Sequence, residues 1–454
     1  MTFTFILYHQ LRHKMNLSPE QTLALQKFKE GKNIFLTGPG GSGKTALIQQ
    51  IVQFGQEQGK RIQVCALTGC AAILLKCKAK TVHSFAGIGL ANGSIDEVVR
   101  KVISNKYKTK NWVNLDILII DEVSMMSAKL FDILDHIGRR TRKNISKPFG
   151  GIQIIFSGDF YQLPPVGTHG EADTMSFCFE SAQWNTTFNA VVCLKTIFRQ
   201  TDSEYTTILN QIRVGKLYKS AYDKLQEHLN KPLPSNNFKP TILLPRRKDA
   251  ELINMTELGK LTGESKVYKM AQAKDMPLTE KDKLNLIEIS ADQKEMEYKF
   301  LVNNIIADQE IVLKIGTQVM CIANIDMESS EQVVNGSQGI VVGFIGELPL
   351  VQFNNGPKRS VGYHVWASEN IQGVGIKQIP LIYAWAITIH KSQGVSLDMA
   401  QIDAGSNIFE CGQTYVALSR VKSLNGLYLT DLNPQKIKVN KKVQEFYSQM
   451  KEEV

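Results

Sequence analysis

The residues that could do chemistry begin with a glycine-rich loop between apolar runs at 33–37 and 46–48. The loop consists of Gly38, Pro39, Gly40, Gly41, Ser42, Gly43, Lys44 and Thr45. Glycines at this spacing let successive backbone N–H groups point at phosphate oxygens, and the following helix adds its positive dipole end. Lys44 would reach the β- and γ-phosphates and Thr45 would coordinate Mg²⁺, so the segment predicts a nucleoside triphosphate site rather than a simple hairpin.

An acidic pair follows a second apolar run at 115–120. Asp121 and Glu122 therefore stand at the carboxyl end of a predicted parallel strand, where α/β sheets bind their ligands. Asp121 is expected to hold the Mg²⁺ ion, and Glu122 is placed to polarise an attacking water. A helix N-cap is the alternative for any Asp-Glu pair, but the phosphate loop upstream favours hydrolysis.

A third candidate, Gln162, lies in SGDFYQLPPV at 157–166, directly after another apolar run. An amide can donate to a γ-phosphate oxygen and accept from the attacking water, so its hydrogen bonds change when that phosphate leaves. Pro164 and Pro165 stiffen the segment that would transmit the change. Taken alone, the segment favours an ordinary turn.

Two arginines complete the candidate active site. Arg199 lies in LKTIFRQ and Arg420 in GQTYVALSRV, far apart in the chain. Each guanidinium could neutralise charge that develops on a transferred phosphoryl group, a contribution of roughly 10³–10⁵ in rate for arginine fingers. Residue type and position alone do not decide between this role and two surface arginines.

The elements that must position these residues follow an α/β pattern. From 23 to about 214, short apolar runs alternate with helical stretches, which predicts a doubly wound parallel sheet. Strands are expected at 61–67, 115–120 and 152–156. One helix ends in a basic cluster, which is a favourable helix cap or a direct contact to DNA: Arg139, Arg140, Arg142 and Lys143.

A second α/β pattern begins near Pro240, with a strand at 241–244 and a helix at 249–261. Short β-like runs between 311 and 365 interrupt it and predict a small inserted antiparallel barrel. The α/β pattern resumes at 383–389 and closes near Leu429.

Charge and hydropathy limit the classes of partner. The chain has 454 residues, with 53 Lys and Arg against 43 Asp and Glu, a formal charge of +10 and a pI near 9.0. A polyanionic partner is consistent with that charge, which is spread along the chain and gives support only. No apolar stretch approaches the ~20 residues of a membrane span, and basic residues follow the apolar run at 1–8, so neither a membrane nor secretion is expected.

Seven cysteines, scattered and without a CxxC pair, indicate a reducing intracellular compartment. The nucleus, cytoplasm and mitochondrion, or a viral or bacterial origin, all fit, and a zinc site does not. Met15 precedes the first motif, so residues 1–14 are open to interpretation as a loose extension, an upstream start or a weak targeting segment.

The candidate residues belong to a set of motifs that occur in a fixed order from 17 to about 429. The set is LSPEQ (17–21), GPGGSGKT (38–45), ALTGCAA (66–72), TVHSFAGIG (81–89), IIDEVSMM (119–126), KPFGGIQIIFSGDFYQLPPV (147–166), IFRQ (197–200), WAITIHKSQGVSLD (385–398) and GQTYVALSRV (412–421). It resembles the petite-integration-frequency (PIF) family of superfamily-one, group B DNA helicases. The phosphate loop is common to many nucleotide hydrolases, whereas PFGGIQ leading into GDFYQLPP, followed by HKSQG and YVALSR, is specific to this family.

The resemblance adds roles at the nucleotide site. It implies that Gln21 recognises the adenine edge and that Gly394 joins the nucleotide-binding residues. Arg199 and Arg420 would reach the γ-phosphate from across an interdomain cleft, which ATP closes and hydrolysis releases.

The resemblance also implies a single-strand track. Its residues are Thr68, His83, Ser84, His390 and Ser392. Hydroxyl, imidazole and loop N–H groups are sequence-independent ligands of backbone phosphate. For either histidine alone, a structural role would be the simpler interpretation. Leu67 stands where relatives usually have proline, which should soften the geometry of the loop that carries Thr68.

The implied fold is two RecA-like P-loop domains with insertions. Residues 1–16 form an N-terminal extension, and 17–200 form the first RecA-like domain with a wedge insertion at about 86–110. The second RecA-like domain consists of 201–264 and 380–454, including a C-terminal helix. Between these two parts lies a β-rich insertion, 265–379, whose barrel of the Src-homology-three type spans about 311–365.

The implied activity is ATP- and Mg²⁺-dependent unwinding of duplex DNA by a monomer that translocates 5′ to 3′ on single strands, in replication, repair, recombination or telomere and genome maintenance. Single-stranded and forked duplex DNA are the expected partners, and G-quadruplexes or RNA–DNA hybrids are open alternatives. Two other functions share the motor chemistry: a translocase or fork remodeller with little strand separation, and a nucleotide-switched DNA clamp. Intact Glu122 and Gln162 and both arginines argue against the clamp.

Overall fold

The computed structural model describes residues 17–450 except 76, 90, 92, 168–170, 235–237, 274–289, 326–332, 355, 357, 369–370, 372, 390 and 393. The expectations for residues 1–16 and for His390 therefore lie outside the described residues. Among the described helices, none is long and apolar enough to cross a bilayer.

The helices and strands divide into an N-terminal and a C-terminal series. The first is α1 (Pro19–Lys29), β1 (Ile34–Thr37), α2 (Lys44–Glu57), β2 (Ile62–Ala66), α3 (Gly69–Leu75), β3 (Lys80–Thr81), α4 (Val82–Ala86), α5 (Ile95–Ile103), α6 (Lys106–Val113), β4 (Ile117–Asp121), α7 (Ala128–Thr141), β5 (Gln153–Ser157), α8 (Ala172–Met175), α9 (Trp184–Thr187) and β6 (Ala190–Cys193). The second is α10 (Ser203–Arg213), α11 (Lys219–Gln226), β7 (Thr241–Leu244), α12 (Arg247–Lys260), β8 (Ser265–Lys269), β9 (Ala271–Gln272), α13 (Ala291–Asn304), β10 (Glu310–Lys314), β11 (Gln318–Cys321), β12 (Gln338–Ile345), β13 (Leu348–Phe353), β14 (Lys358–Ser360), β15 (His364–Ala367), β16 (Gly375–Gln378), β17 (Leu381–Tyr383), β18 (Ala386–Thr388), β19 (Ala400–Ala404), α14 (Gln413–Leu418), β20 (Leu427–Leu432) and α15 (Lys441–Gln449).

The first lobe is built on a six-stranded parallel sheet in the order β3-β2-β4-β5-β1-β6. Its central strands are buried along their whole length, because helices cover both faces. The three strands expected from the sequence are confirmed as β2, β4 and β5. Since β4, β5 and β1 are neighbours, the segments that leave their carboxyl ends meet at one edge of the sheet.

The second lobe contains a four-stranded parallel sheet in the order β18-β7-β19-β20. Residues from α10, α11 and α14 pack on this sheet in one large apolar cluster. The predicted second α/β unit is therefore present, and the helix expected at 249–261 is α12.

Antiparallel strands interrupt the second lobe, as the sequence predicts. The largest such sheet has the order β14-β13-β12-β11-β17, and a three-stranded sheet has the order β15-β16-β9. Val319, Val341 and Phe353 are buried in a separate core beneath the larger sheet. The antiparallel pairing continues to β17, beyond the limit at 365 expected for the barrel.

The basic end of α7 is used mainly inside the first lobe. Arg139 pairs with Asp135 at 2.6 Å, and Arg142 donates through Nη1 to the carbonyl of Leu115 at 2.8 Å. Arg140 bonds Asp96 at the start of α5. These contacts support the helix-cap interpretation of the cluster over a direct contact to DNA.

Candidate active site

The phosphate loop connects β1 to α2 at the carboxyl edge of the first sheet. Lys44 lies inside the loop and donates through Nζ to the carbonyls of Gly38 at 2.7 Å and Pro39 at 2.9 Å. Burial lowers the pKa of the Lys44 ammonium, and the carboxylates of Asp159, Glu122 and Asp121 oppose that shift. The loop therefore holds a positive charge in a partly dehydrated cradle, which suits a phosphate chain.

Two glycines of the loop allow side chains from elsewhere to approach it. Gly41 has φ +84°, and a Cβ there would lie 2.5 Å from Cβ of Arg199. Gly43 has φ +80°, and a Cβ there would lie 2.7 Å from Nε2 of Gln21. Gln21 is fixed because its Oε1 accepts from Ser18 N at 3.0 Å in a capping box at the start of α1.

The acidic pair stands at the end of β4, next to the loop. Burial raises the pKa of the Asp121 carboxyl, and the Lys44 ammonium opposes the rise. Burial and the charge of Asp121 raise the pKa of Glu122 to about 7. Glu122 also has φ +57°, a strained conformation for a residue with a side chain. A partly protonated carboxyl held in a strained backbone is typical of a general base.

The third candidate, Gln162, follows β5 and is buried. Its backbone N–H donates to the carbonyl of Asp159 at 2.9 Å, which closes the turn that carries it. Asp159 is fully buried and forms a two-point ion pair with Arg213, at 2.8 Å to Nε and 2.9 Å to Nη2. The backbone carbonyls of Tyr161 and Gln162 approach Gly412, where a Cβ would lie 2.5 Å from each of them, so the turn contacts the second lobe directly.

The two arginines meet at the phosphate loop although they come from different parts of the chain. A Cβ on Gly40 would lie 3.6 Å from Nη1 of Arg199 and 3.6 Å from Nη2 of Arg420. Burial and the charge of Arg199 lower the pKa of Arg420 to about 9. Two like charges held this close in a buried cleft favour an anion between them.

Residues that the sequence reasoning did not single out hold Arg420 in place. Gln200 donates through Nε2 to the carbonyl of Ser419 at 3.1 Å, and Tyr205 donates through its hydroxyl to the carbonyl of Leu418 at 2.7 Å. Both bonds fall on carbonyls at the C-terminus of α14, which the helix itself leaves unpaired. On the same helix, the Tyr415 hydroxyl accepts from Gly40 N at 2.8 Å.

A small cavity joins the nucleotide site to the predicted strand track. Its volume is about 200 Å³, and its lining includes Thr45, Asp121, Glu122, Thr68 and Gly394. Thr45 and Asp121 are the residues that would hold Mg²⁺, an ion that keeps several waters and takes its remaining ligands from phosphates. Gly394 thus faces the nucleotide site from the second lobe.

The predicted DNA contacts differ in exposure. Ser84 is exposed, while Thr68 and His83 are partly buried and line a separate cavity of about 230 Å³. Burial lowers the pKa of His83, so its imidazole is neutral near pH 7. Ser392 is fully buried, and its hydroxyl donates to the carbonyl of Ile389 at 2.8 Å. The Ser392 hydroxyl is therefore bonded within the second lobe, and the Ser392 carbonyl accepts from Arg420 Nη1 at 3.4 Å.

Sequence signals existed for some of the missed residues. Asp159, Gln200 and Tyr415 lie inside the motifs that carry the family resemblance. Arg213 and Tyr447 lie outside all of them, and only the fold brings these two beside Asp159.

A phosphate loop, an acidic pair and an arginine from each side of one cleft define the class: a two-lobed P-loop protein with a nucleotide-binding cleft. Residues 16–221 match the family model for PIF1-like helicases, and 299–344 match that for the 2B domain of DNA helicase Pif1. The ATP-dependent DNA helicase Pif1 of Bdellovibrio bacteriovorus is 33% identical over 440 residues, which cover 96% of this chain and 93% of that protein. The chain therefore belongs to the Pif1-like helicase family.

Other relatives and solved structures agree. The ATP-dependent DNA helicase PIF1 of Xenopus laevis is 35% identical over 97% of this chain and 65% of its own length. A crystal structure of Bacteroides sp Pif1 with ADP-AlF4 has a TM-score of 0.78 at 29% identity, covering 96% of this chain and 97% of that one. A Bacteroides Pif1 complex with ADP-AlF3 and ssDNA has a TM-score of 0.61 at 28% identity, with the same coverage.

The chain spans only 61% to 65% of the length of the vertebrate and fungal PIF1 relatives from Xenopus laevis, Danio rerio, Emericella nidulans and Homo sapiens. Those proteins therefore contain sequence that has no counterpart in this chain.

Proposed function

We propose that the protein is an ATP- and Mg²⁺-dependent DNA helicase that translocates 5′ to 3′ on single-stranded DNA and separates duplex at a fork. The observation that carries the proposal is the convergence of Arg199 and Arg420 on Gly40. A cleft that needs both lobes to surround one phosphate changes shape when that phosphate leaves. Membership in the Pif1-like family supports DNA as the polymer along which this change is used.

We propose roles for the residues of the site that its geometry and the family resemblance support. Gln21 binds the adenine edge, residues 38–45 and Gly394 bind the nucleotide, and Thr45 with Asp121 holds Mg²⁺. A bound Mg²⁺ would supply positive charge that offsets the charge of the phosphates. Glu122 accepts the proton of the attacking water, and Gln162 orients that water.

The strand track runs past the small cavity behind the acidic pair. Thr68, His83 and Ser84 bind backbone phosphates on the first lobe, with His390 on the second. We propose that Ser392 acts through its carbonyl on Arg420 rather than through its hydroxyl on DNA. The wedge, at about 86–110, would meet the duplex junction.

The test is strand separation of a tailed duplex with ATP and Mg²⁺, comparing 5′ and 3′ single-stranded tails. We expect unwinding of the 5′-tailed duplex alone. Lys44→Ala should abolish it while single-strand affinity stays within a few fold, because Lys44 belongs to the phosphate loop and not to the proposed strand track. DNA-stimulated hydrolysis without strand separation would indicate a translocase, and binding without stimulated hydrolysis would indicate a clamp. Unwinding by the Lys44→Ala protein would refute the proposed mechanism.

The remaining features of the proposal concern assembly, substrate and compartment. We propose a monomer that works in a reducing intracellular compartment, and none of the cysteines that the structure describes is in a disulfide. G-quadruplexes and RNA–DNA hybrids are tested as alternative substrates by placing each in the tailed duplex and comparing initial rates.

A further inference from the structure

The last helix of the chain returns to the first lobe. After β20, which pairs in the sheet of the second lobe, α15 packs Val443 and Phe446 into the aromatic core beneath β1. Phe446 stacks on Phe179 with ring centroids 4.3 Å apart and meets Phe35 at 5.9 Å. This part of α15 is ordinary core packing.

Tyr447, the next residue, makes polar contacts instead. Its buried hydroxyl is 2.7 Å from Oγ1 of Thr37, accepts from Phe160 N at 3.1 Å and donates to Oδ1 of Asp159 at 3.4 Å. Thr37 ends β1 directly before the phosphate loop, and Phe160 lies in the turn that carries Gln162. One hydroxyl therefore bridges the two segments that must hold opposite sides of a γ-phosphate.

The ring of Tyr447 is held by a second set of contacts. It stacks on Tyr161 with centroids 4.6 Å apart and planes 10° from parallel. The guanidinium of Arg213 lies 4.6 Å from the Tyr161 centroid while it pairs with Asp159. The hydroxyl is thus fixed in position by a stack and a buried ion pair rather than by the helix alone.

The contacts of Tyr447, Tyr161 and Arg213 hold the turn after β5, and this turn carries the proposed catalytic residue Gln162. Asp159 accepts the N–H of Gln162 on its carbonyl, and its carboxylate is the strongest favourable charge on Lys44. A shift of the turn by a few tenths of an ångström would move Gln162 relative to the phosphate loop, and small misplacements of this kind reduce rate more than binding.

We propose that Tyr447 is a positioning residue of the nucleotide site, which sets the distance between the phosphate loop and Gln162 through its hydroxyl. The inference rests on the proposed ATPase function. It makes α15 a working part of the hydrolytic site rather than a packing element.

The test measures steady-state ATP hydrolysis with saturating single-stranded DNA for Tyr447→Phe, which keeps the stack and removes the hydroxyl. We expect kcat to fall about tenfold with KM for ATP within about twofold, the size expected for one lost hydrogen bond that matters in the transition state. In a Gln162→Ala background, the same substitution should change kcat less than about twofold, because Tyr447 acts through Gln162.

Three further variants separate positioning from packing. Tyr222→Phe also removes a bonded hydroxyl, one that accepts from Gln226 at 2.7 Å, and Phe446→Leu weakens the packing of α15. Both should leave kcat within about twofold, even where Phe446→Leu lowers the melting temperature. Thr37→Val, which removes the hydroxyl's partner and leaves Tyr447 intact, should reproduce the loss in kcat.

The outcomes are distinguishable. A wild-type protein without DNA-stimulated hydrolysis would refute the proposed function itself. An active wild type with kcat unchanged in Tyr447→Phe and Thr37→Val would refute the positioning role alone, as would an undiminished effect of Tyr447→Phe in the Gln162→Ala background.

Discussion

The side-chain amide of Gln200 donates to the carbonyl of Ser419, the residue directly before Arg420, at 3.1 Å. Gln200 directly follows Arg199 in the chain. One segment therefore brings Arg199 to the phosphate loop and also bonds the backbone next to Arg420. The positions of the two arginines are therefore linked through this segment, and a change in either one should affect the other.

Removing either arginine should abolish hydrolysis without abolishing nucleotide binding. For Arg199→Ala and Arg420→Ala we expect kcat to fall by about 10³ or more, the range of an arginine finger, with ADP affinity within a few fold. The double variant should be little worse than either single variant, since residues that act as a unit are not additive. Arg61→Ala, which removes an exposed pair with Asp116, is the matched control and should hydrolyse ATP at the wild-type rate.

Removing the hydrogen bonds that Gln200 makes to the end of α14 should have the effect of a partial loss of Arg420. Gln200→Ala removes bonds to the carbonyls of Ser419 and Val421, and we expect kcat to fall about tenfold, because the guanidinium is less well oriented. The measurement is steady-state ATP hydrolysis with saturating single-stranded DNA. Gln226→Ala, remote from the cleft, is the control. Equal rates for the two variants would show that Gln200 does not orient Arg420.

Hydrolysis should depend on the ionisation of Glu122. The pKa of this carboxyl is raised from 4.5 to about 7, and only the carboxylate can accept a proton. We therefore expect kcat/KM for ATP to fall about tenfold per pH unit below 7, since this ratio reports the free enzyme. Glu122→Gln should be nearly inactive, and its residual kcat/KM should not fall in this way below pH 7. A wild-type kcat/KM that is constant between pH 5.5 and 8 would contradict the role of Glu122 as general base.

The same shift predicts an effect on stability with a definite sign. A carboxyl whose pKa is higher in the folded than in the unfolded protein disfavours folding once it ionises, so the penalty is absent below about pH 4.5 and complete above about pH 7. Glu122→Gln should therefore raise the melting temperature at pH 8 and have little effect near pH 4.5. Equal shifts at both values would indicate another cause.

Removing Arg213 from its buried ion pair with Asp159, which joins α10 to the turn after β5, should destabilise the protein strongly. The Asp159 carboxylate is fully buried and the arginine side chain is 13% exposed, so Arg213→Ala leaves a buried charge without its partner. A loss of about 3–5 kcal/mol is expected from such a change, measured by chemical denaturation followed through a first-lobe tryptophan. A double change to Asp159→Asn and Arg213→Met should be less harmful than Arg213→Ala alone.

His83 should contribute to DNA binding as a neutral hydrogen-bonding group and not through an ionic contact. Burial lowers the pKa of the imidazole, so at pH 7.5 it acts as a neutral hydrogen-bonding group. His83→Ala should weaken single-strand binding severalfold at every sequence while the slope of log K against log salt stays unchanged. If the slope fell by about 0.7, as for the loss of one cationic contact, His83 would be binding as a charged group.

The nucleotide site was largely predictable because its residues lie in contiguous motifs. Residues 38–45 and the acidic pair are fixed by a strand and the turn after it, so local sequence determines where they lie in the sheet. The parallel strands were predictable for the same reason, since fully buried strands read as continuous apolar runs.

What could not be predicted depends on contacts between distant segments. Tyr447 and Asp159 are 288 positions apart, and no pattern in α15 distinguishes a tyrosine that bonds the active-site turn from one that fills the core. The burial of Ser392 was missed for a similar reason, because a serine in a glycine-containing loop normally reads as exposed.

The route of the chain also governs how the lobes can move. The chain crosses from the first lobe to the second after β6 and crosses back before α15, so two separate peptide connections span the cleft. Two connections leave the lobes fewer independent relative motions than one connection would, which favours rotation about the line that joins the two crossings. For the proposed motor, we expect the opening and closing of the cleft to follow this rotation.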